Sequence, residues 1–197
     1  MQSHARNRSG RPPRTLQGHI AFFDRDNDGI IWPIDTFKSS RAIGFGILFS
    51  LLSMILIHGG FSYWTFGTLL PDPFFRIRVS HIHRALHGSD SGSFTQTGEF
   101  DERRFDYVFD LYSSAPHTHL AFSEGVNMIR GNRNLYDVFG WFATVFEWGA
   151  TYLLLWPEDG RLSKQDVHDI MDGSLFPRLA AQNINKNSKK EEAQKAK

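Results

Sequence analysis

Between Arg41 and Asp72 the chain runs for thirty residues whose only titratable side chains are His58 and Tyr63. No other feature narrows the possible folds as far. Ala42 to Ile57 is nearly continuous apolar sequence, and with Phe61 to Leu70 it forms two arms around His58-Gly59-Gly60. A helix apolar on every face needs a large protein around it, and a chain of 197 residues has little room to bury one. Crossing a bilayer takes about 20 apolar residues, whereas the first arm has sixteen, interrupted by Ser50, Ser53 and two glycines. The pattern predicts an apolar hairpin instead: a helix, a Gly-Gly turn, and a return arm ending at Pro71-Asp72-Pro73. Such a hairpin would dip into one leaflet, or into the monolayer of a lipid droplet.

The remaining composition excludes several classes. Lysine and arginine number 22 against 21 aspartates and glutamates, a formal charge of +1, so no overall field draws the chain to nucleic acid. There is no cysteine, which removes disulfides, thiolate metal sites and iron-sulfur clusters. Any metal must sit on histidine, carboxylate or carbonyl. Residues 1–23 are polar, carry Arg6, Arg8, Arg11 and Arg14 with no acid before Asp24, and lack a secretory apolar core. A cytosolic start is expected, because Gly10, Pro12 and Pro13 also interrupt any amphipathic transit helix.

Asp24-Arg25-Asp26-Asn27-Asp28-Gly29-Ile30-Ile31-Trp32-Pro33-Ile34-Asp35 matches the EF-hand loop at six of its defining places. Asp24, Asp26 and Asp28 supply hard oxygens at positions 1, 3 and 5, Gly29 permits the sharp turn, Ile30 offers its carbonyl, and Asp35 closes the loop. Position 12 normally carries Glu, so Asp35 implies a weaker calcium site or one that tolerates magnesium. EF-hands pair through the apolar residue at position 8, here Ile31, so a second loop is expected. Two degenerate candidates are Leu155 to Asp166, with Leu162 at position 8, and Ser113 to Glu124, with Leu120 there. Leu155 and Pro157 replace the first two ligands of the former, which would hold shape without holding calcium, and no glycine stands at position 6 of the latter.

Apolar spacing predicts further helices around Phe105 to Tyr112, Val126 to Ile129 and Val138 to Leu155, while Phe74 to Val79 reads as a short strand. His83 and His87 would share a face if helical, and the spacing leaves zinc, a haem edge and plain surface histidines open. His19 falls on the apolar stripe Leu16, His19, Ile20, Phe23, where it needs a partner, and a hydrogen-bonded core histidine explains it as well as a ligand does. Two histidines make no complete catalytic zinc site. Phe122, Trp141, Phe142 and Trp148 read equally as core or as channel lining.

Taken together and in order, LQGHIAFFD, FFDRDNDGIIWP, IHRALHGSDSG, FGWFATVFEWG and DGSLF resemble the caleosin family from about Leu16 to Phe176. The resemblance implies calcium-binding proteins of lipid droplets whose enzymatic members are haem peroxygenases, passing one oxygen from a fatty-acid hydroperoxide to an unsaturated lipid. It also implies that haem b is held at iron by His19 and His87, which are then the catalytic pair, beside calcium on Asp24, Asp26, Asp28, Ile30 and Asp35. Gly67 and Arg76 stand where plant members carry the outer two prolines of a four-proline knot, leaving Pro71 and Pro73, a pattern similar to fungal members with a short N-terminus.

The expected fold is mainly α: an EF-hand-like helical domain with one well-matched calcium loop, degenerate partner loops and a membrane-associating apolar hairpin. Its divisions are a basic disordered arm (1–14), the EF-hand (15–41), the hairpin (42–73), a helical haem and EF-like region (74–180) and a disordered tail (181–197). Expected partners are the lipid droplet or the endoplasmic-reticulum membrane on its cytosolic face, with fatty-acid hydroperoxide and unsaturated lipid as substrates; a homo-oligomer is compatible with the sequence. A calcium-responsive droplet coat or signalling protein without turnover is the alternative.

Overall fold

The computed structural model describes residues 15–195, so the arm expected over 1–14 lies outside the described residues. The fold is mainly helical, and among the described residues its two sheets have two strands each. Helix α1 (Leu16–Ile20) opens on Thr15, whose hydroxyl accepts the Gly18 N–H, and a 3-10 turn (Ala21–Phe23) leads into the acidic loop. Strand β1 (Ile30–Ile31) is followed by α2 (Pro33–Ile43). Pro33 suits the first helical position because its missing N–H would be unpaired there anyway. Asp35 reaches back to accept the Trp32 N–H at 3.1 Å.

Helix α3 (Ile47–Phe66) corrects the expected hairpin. No turn forms at Gly59-Gly60; the helix runs straight through. A reversal inside an apolar layer would leave backbone donors and acceptors unpaired at several kcal/mol each, against roughly 1 kcal/mol for each helical glycine. The helix is also inside out: its buried residues are Ser50, Ser53, His58, Ser62 and Thr65, while Leu48, Ile55 and Trp64 are exposed. Ser50 and Ser53 donate back to the Gly46 and Phe49 carbonyls. Both nitrogens of His58 are used: Nδ1 donates to the Phe75 carbonyl (2.6 Å) and Nε2 accepts from the Thr36 hydroxyl (2.8 Å), tying α3 to α2.

The second long apolar helix is α6 (Val138–Leu155), far along the chain from the expected return arm. Phe49 stacks on Phe146 (5.7 Å) and Phe61 meets Phe139 edge-on (5.8 Å), so α6 descends as α3 ascends. Both are long and apolar enough to cross a membrane by length and composition, and little of either is buried.

Strand β2 (Ile77–Arg78) pairs with β1, setting Ile31 against Ile77. The expected partner of Ile31 was a degenerate loop, yet those two loops pair with each other. Strand β3 (His119–Ala121) joins β4 (Arg161–Ser163) with Leu120 opposite Leu162, the two position-8 residues. Flanked by α4 (Glu102–Tyr112), α5 (Phe122–Gly131), α6 and α7 (Lys164–Met171), they make an EF-like pair around Phe109, Leu120, Met128 and Leu162, all buried. Their carboxylates are spent internally. Glu124 accepts from Ser114 and the Ala121 N–H, and Asp159 is taken by Arg161.

Helix α8 (Leu175–Lys195) also departs from expectation, since residues 181–195 are helical. Asn183 anchors it, its amide donating to the Arg41 and Ala42 carbonyls left open at the end of α2. Beyond it the sequence is rich in Lys, Glu, Gln and Ala, all good helix formers.

Arg76, in place of an outer proline, fixes the segment after α3 by another route. Its guanidinium holds Asp72 (2.8 and 3.1 Å) and lies 5.1 to 5.3 Å from the rings of Trp32, Phe66 and Phe74. The Arg76 contact keeps the Asp72 carboxyl below its ordinary range. Arg76→Ala is expected to lower the thermal midpoint by a few degrees, and Arg76→Lys to restore little of it, because an ammonium cannot reproduce the planar fork; differential scanning calorimetry of the two variants checks both.

Candidate functional site

Helices α3 and α6 enclose a cavity of about 330 Å³ lined by Ile57, Phe61, Phe139, Phe146 and other apolar side chains. Both histidines singled out in the sequence reach it: His19 from α1 and His87 from the segment after the 3-10 helix Val79–Ala85. His83 does not. That helix ends at Ala85, so the shared face that would have set His83 beside His87 never forms. His81 is turned to the Thr65 carbonyl (3.0 Å).

The two cavity histidines have opposite surroundings. His19 Nδ1 lies 2.7 Å from the Ile170 carbonyl; a carbonyl only accepts, so Nδ1 carries the proton and Nε2 keeps its lone pair. Burial pushes His19 below its ordinary pKa, the Ile170 carbonyl and Asp172 opposing in part, and the ring stays neutral near pH 7. Its seat is the Asp172-to-Phe176 string. Phe176 meets the imidazole edge-on (5.4 Å), and Gly173, at φ +79°, passes so close that a Cβ would overlap the Gly18 carbonyl and come within 3.0 Å of His19 Cα.

Among the described residues, His87 has no carbonyl anchor. Asp137 Oδ2 stands 3.5 Å from Nδ1 and Glu147 Oε1 stands 3.9 Å from Nε2, and Nδ1 is buried without a hydrogen bond. Burial alone would lower its pKa, but Glu147, Asp90 and Asp137 outweigh it and hold His87 above its ordinary value. Asp137 is itself fixed, accepting the Ser89 and Gly140 N–H groups at 2.8 Å. Glu147 is the sole charged side chain on α6, and it faces the cavity. Sequence reasoning missed Glu147, Asp137, Ile170 and Gly173. Glu147 left a signal as a lone acid in an apolar helix, and Gly173 left one only as part of the string DGSLF.

In the acidic loop, Asp24, Asp26 and Asp28 bring carboxylate oxygens within 4.8 Å of one another. Asp24 Oδ2 accepts the Gly29 N–H (3.0 Å), while Oδ1 is buried with no hydrogen-bond partner, as fits a bound cation. Burial raises the Asp24 pKa, and Asp28 and Asp26 push the same way. Ile30 lies in β1 opposite Arg78. Asp35 stands apart from the cluster of three, capping α2 through Oδ2. His168, Asp169 and Asp172 form another cluster of ligand-type atoms, but Arg178 pairs with Asp169 and the Ser174 N–H occupies Asp172.

A family model described as caleosin related protein matches residues 13–180. The peroxygenase of Lilium longiflorum is 42% identical over 164 residues, covering 83% of this chain and 69% of the relative. Probable peroxygenase 4 of Arabidopsis thaliana is 38% identical over 175 residues, covering 89% and 90%. A probable inactive peroxygenase-like protein of Arabidopsis thaliana is 27% identical over 160 residues, covering 77% and 73%. No solved structure matches the chain. With the family model spanning nearly all of the described fold and the paired EF-like loops beneath it, the chain belongs to the caleosin family.

Proposed function

We propose that this protein is a calcium-binding, haem-dependent peroxygenase that passes one oxygen from a fatty-acid hydroperoxide to an unsaturated lipid at a lipid-droplet or endoplasmic-reticulum surface. The observation that carries the reading is the meeting of His19 and His87, distant in sequence, on one apolar cavity with contrasting neighbours. Two relatives named as peroxygenases, at 42% and 38% identity, support it.

His19 would hold the haem iron in this reading. Its Nδ1–H bond to the Ile170 carbonyl fixes tautomer and ring plane, as hydrogen-bonded carbonyls do for metal-bound histidines, and leaves the Nε2 lone pair that would hold the iron. Haem bound there would supply the redox chemistry of oxygen transfer. His87, set among carboxylates, acts from the other role: Nε2 takes the hydroperoxide proton and returns it to the departing alcohol oxygen. Glu147 and Asp137 orient the ring and stabilise its charged form. The apolar walls exclude water and hold the acyl chain, while the exposed apolar faces of α3 and α6 rest in one leaflet and keep the cavity near its lipid substrate. The acidic loop holds calcium, and Phe23, beside Asp24, packs on Phe176 (5.3 Å), so the cation steadies the seat of His19.

The test is an absorption spectrum of purified, haem-supplemented protein between about 350 and 650 nm, with His19→Val, His87→Val and, as control, His117→Ala. A stoichiometric Soret band is expected in wild type and control. It should be lost in His19→Val, and retained but altered in His87→Val with hydroperoxide-dependent epoxidation reduced on the order of a hundredfold or more. The second reading, a calcium-responsive droplet coat protein, is favoured by the relative labelled inactive. A missing Soret band in wild type would establish that reading in place of the enzyme.

A further inference from the structure

A second cavity, of about 360 Å³, lies between α5 and α6 on the side of α6 away from the histidines. Its volume falls in the range of small-molecule sites. Val126, Ile129, Val145 and Trp148 give it apolar walls, Arg130 and Arg133 line it as well, and no carboxylate does. Neither guanidinium makes an ion pair among the described residues. Arg133 Cζ lies over the Trp141 ring, 4.8 Å from its centroid, and the indole is held by a bond from Nε1 to the Asn134 carbonyl. A cation-π contact uses none of the guanidinium N–H donors, which can bind a carboxylate in two parallel hydrogen bonds.

We propose that this groove is a second lipid site that takes a long-chain fatty-acid carboxylate, head on Arg130 and Arg133 and chain between α5 and α6. Charge and shape together select the occupant: an apolar slot open to an acyl chain, with two unpaired cations and no anion. Trp148 lines both cavities, so the groove adjoins the histidine cavity while sharing neither histidine. The proposal stands whether or not haem binds.

The probe is oleate carrying a photoactivatable diazirine in its chain, with the matching alcohol as control, added to the full chain in phosphatidylcholine nanodiscs. Adducts are mapped by mass spectrometry. We expect adducts on peptides spanning 122–133 and 141–152, at least fivefold more from the acid than from the alcohol. Gly149→Leu should reduce them about tenfold, since Gly149 lines the groove and a Cβ there meets nothing within 4 Å. The double variant Arg130→Gln, Arg133→Gln changes only exposed side chains and should erase the preference for the acid. Equal labelling by acid and alcohol in wild type would overturn the proposal, as would adducts confined to the histidine cavity. Loss of binding to anionic vesicles in the double variant, with oleate labelling unchanged, would overturn it too, by making the arginines a membrane headgroup contact.

Discussion

Gly173→Ala is expected to weaken haem binding by about tenfold to a hundredfold, although Gly173 does not line the cavity. Two effects add. At φ +79° an L side chain is strained, and the new Cβ overlaps the Gly18 carbonyl, so the backbone carrying His19 must shift away from Ile170. Together they cost on the order of 2–4 kcal/mol of stability. Gly160→Ala is the control, because Gly160 has φ +70° with open space beside it; it shares the backbone strain without the displacement. Optical titration with haem, with circular dichroism as a check on folding, separates the two variants. A folded Gly173→Ala that binds haem as tightly as wild type would show that the Asp172-to-Phe176 string does not position His19.

That string shows where sequence reasoning stopped. Asp172-Gly173-Ser174-Leu175-Phe176 carries no chemistry of its own, and its work is to seat a residue more than 150 positions earlier, which no local pattern encodes. Local patterns did carry the clustering of Asp24, Asp26 and Asp28, which alternate along one short loop, and the position-8 residues Leu120 and Leu162, whose mutual pairing follows the expected motif while the partner of Ile31 does not. The apolar stretch was legible as too apolar to bury, and Leu48, Ile55 and Trp64 are exposed on it, but it was not legible in shape. A Gly-Gly pair reads as a turn in water, whereas in an apolar layer the unpaired backbone of that turn costs more than two helical glycines. The second apolar helix, α6, was visible as a helix, but nothing local says that it lies antiparallel to α3. His87 was read through a helical spacing that a short 3-10 helix abolishes, and its true neighbours, Asp137 and Glu147, stand 50 and 60 residues later in the chain.

Asp24→Asn is expected to lower calcium affinity at least a hundredfold, about 2.7 kcal/mol, while leaving the calcium-free protein as stable as wild type or more so. The opposite signs follow from the two oxygens of Asp24. Oδ2 accepts the Gly29 N–H, which the Asn carbonyl oxygen reproduces, so the loop keeps its turn. Oδ1 is buried and unpartnered, a state that costs free energy without a cation and that the charge on Asp26 and Asp28 worsens. Removing the charge relieves that strain and removes the ligand together. Asp24→Ala should lose affinity equally but also destabilise the calcium-free form, because the Gly29 N–H then has no acceptor. Calorimetric titration with calcium and thermal melts in chelator measure both quantities, and Asp28→Ala should match the affinity loss. Calcium should also sharpen the haem spectrum of wild type, through Phe23 and Phe176 beside His19, and leave that of Asp24→Asn unchanged. Wild-type calcium affinity in Asp24→Asn would remove the acidic loop from the metal chemistry of this protein and, with it, the link from calcium to the histidine cavity.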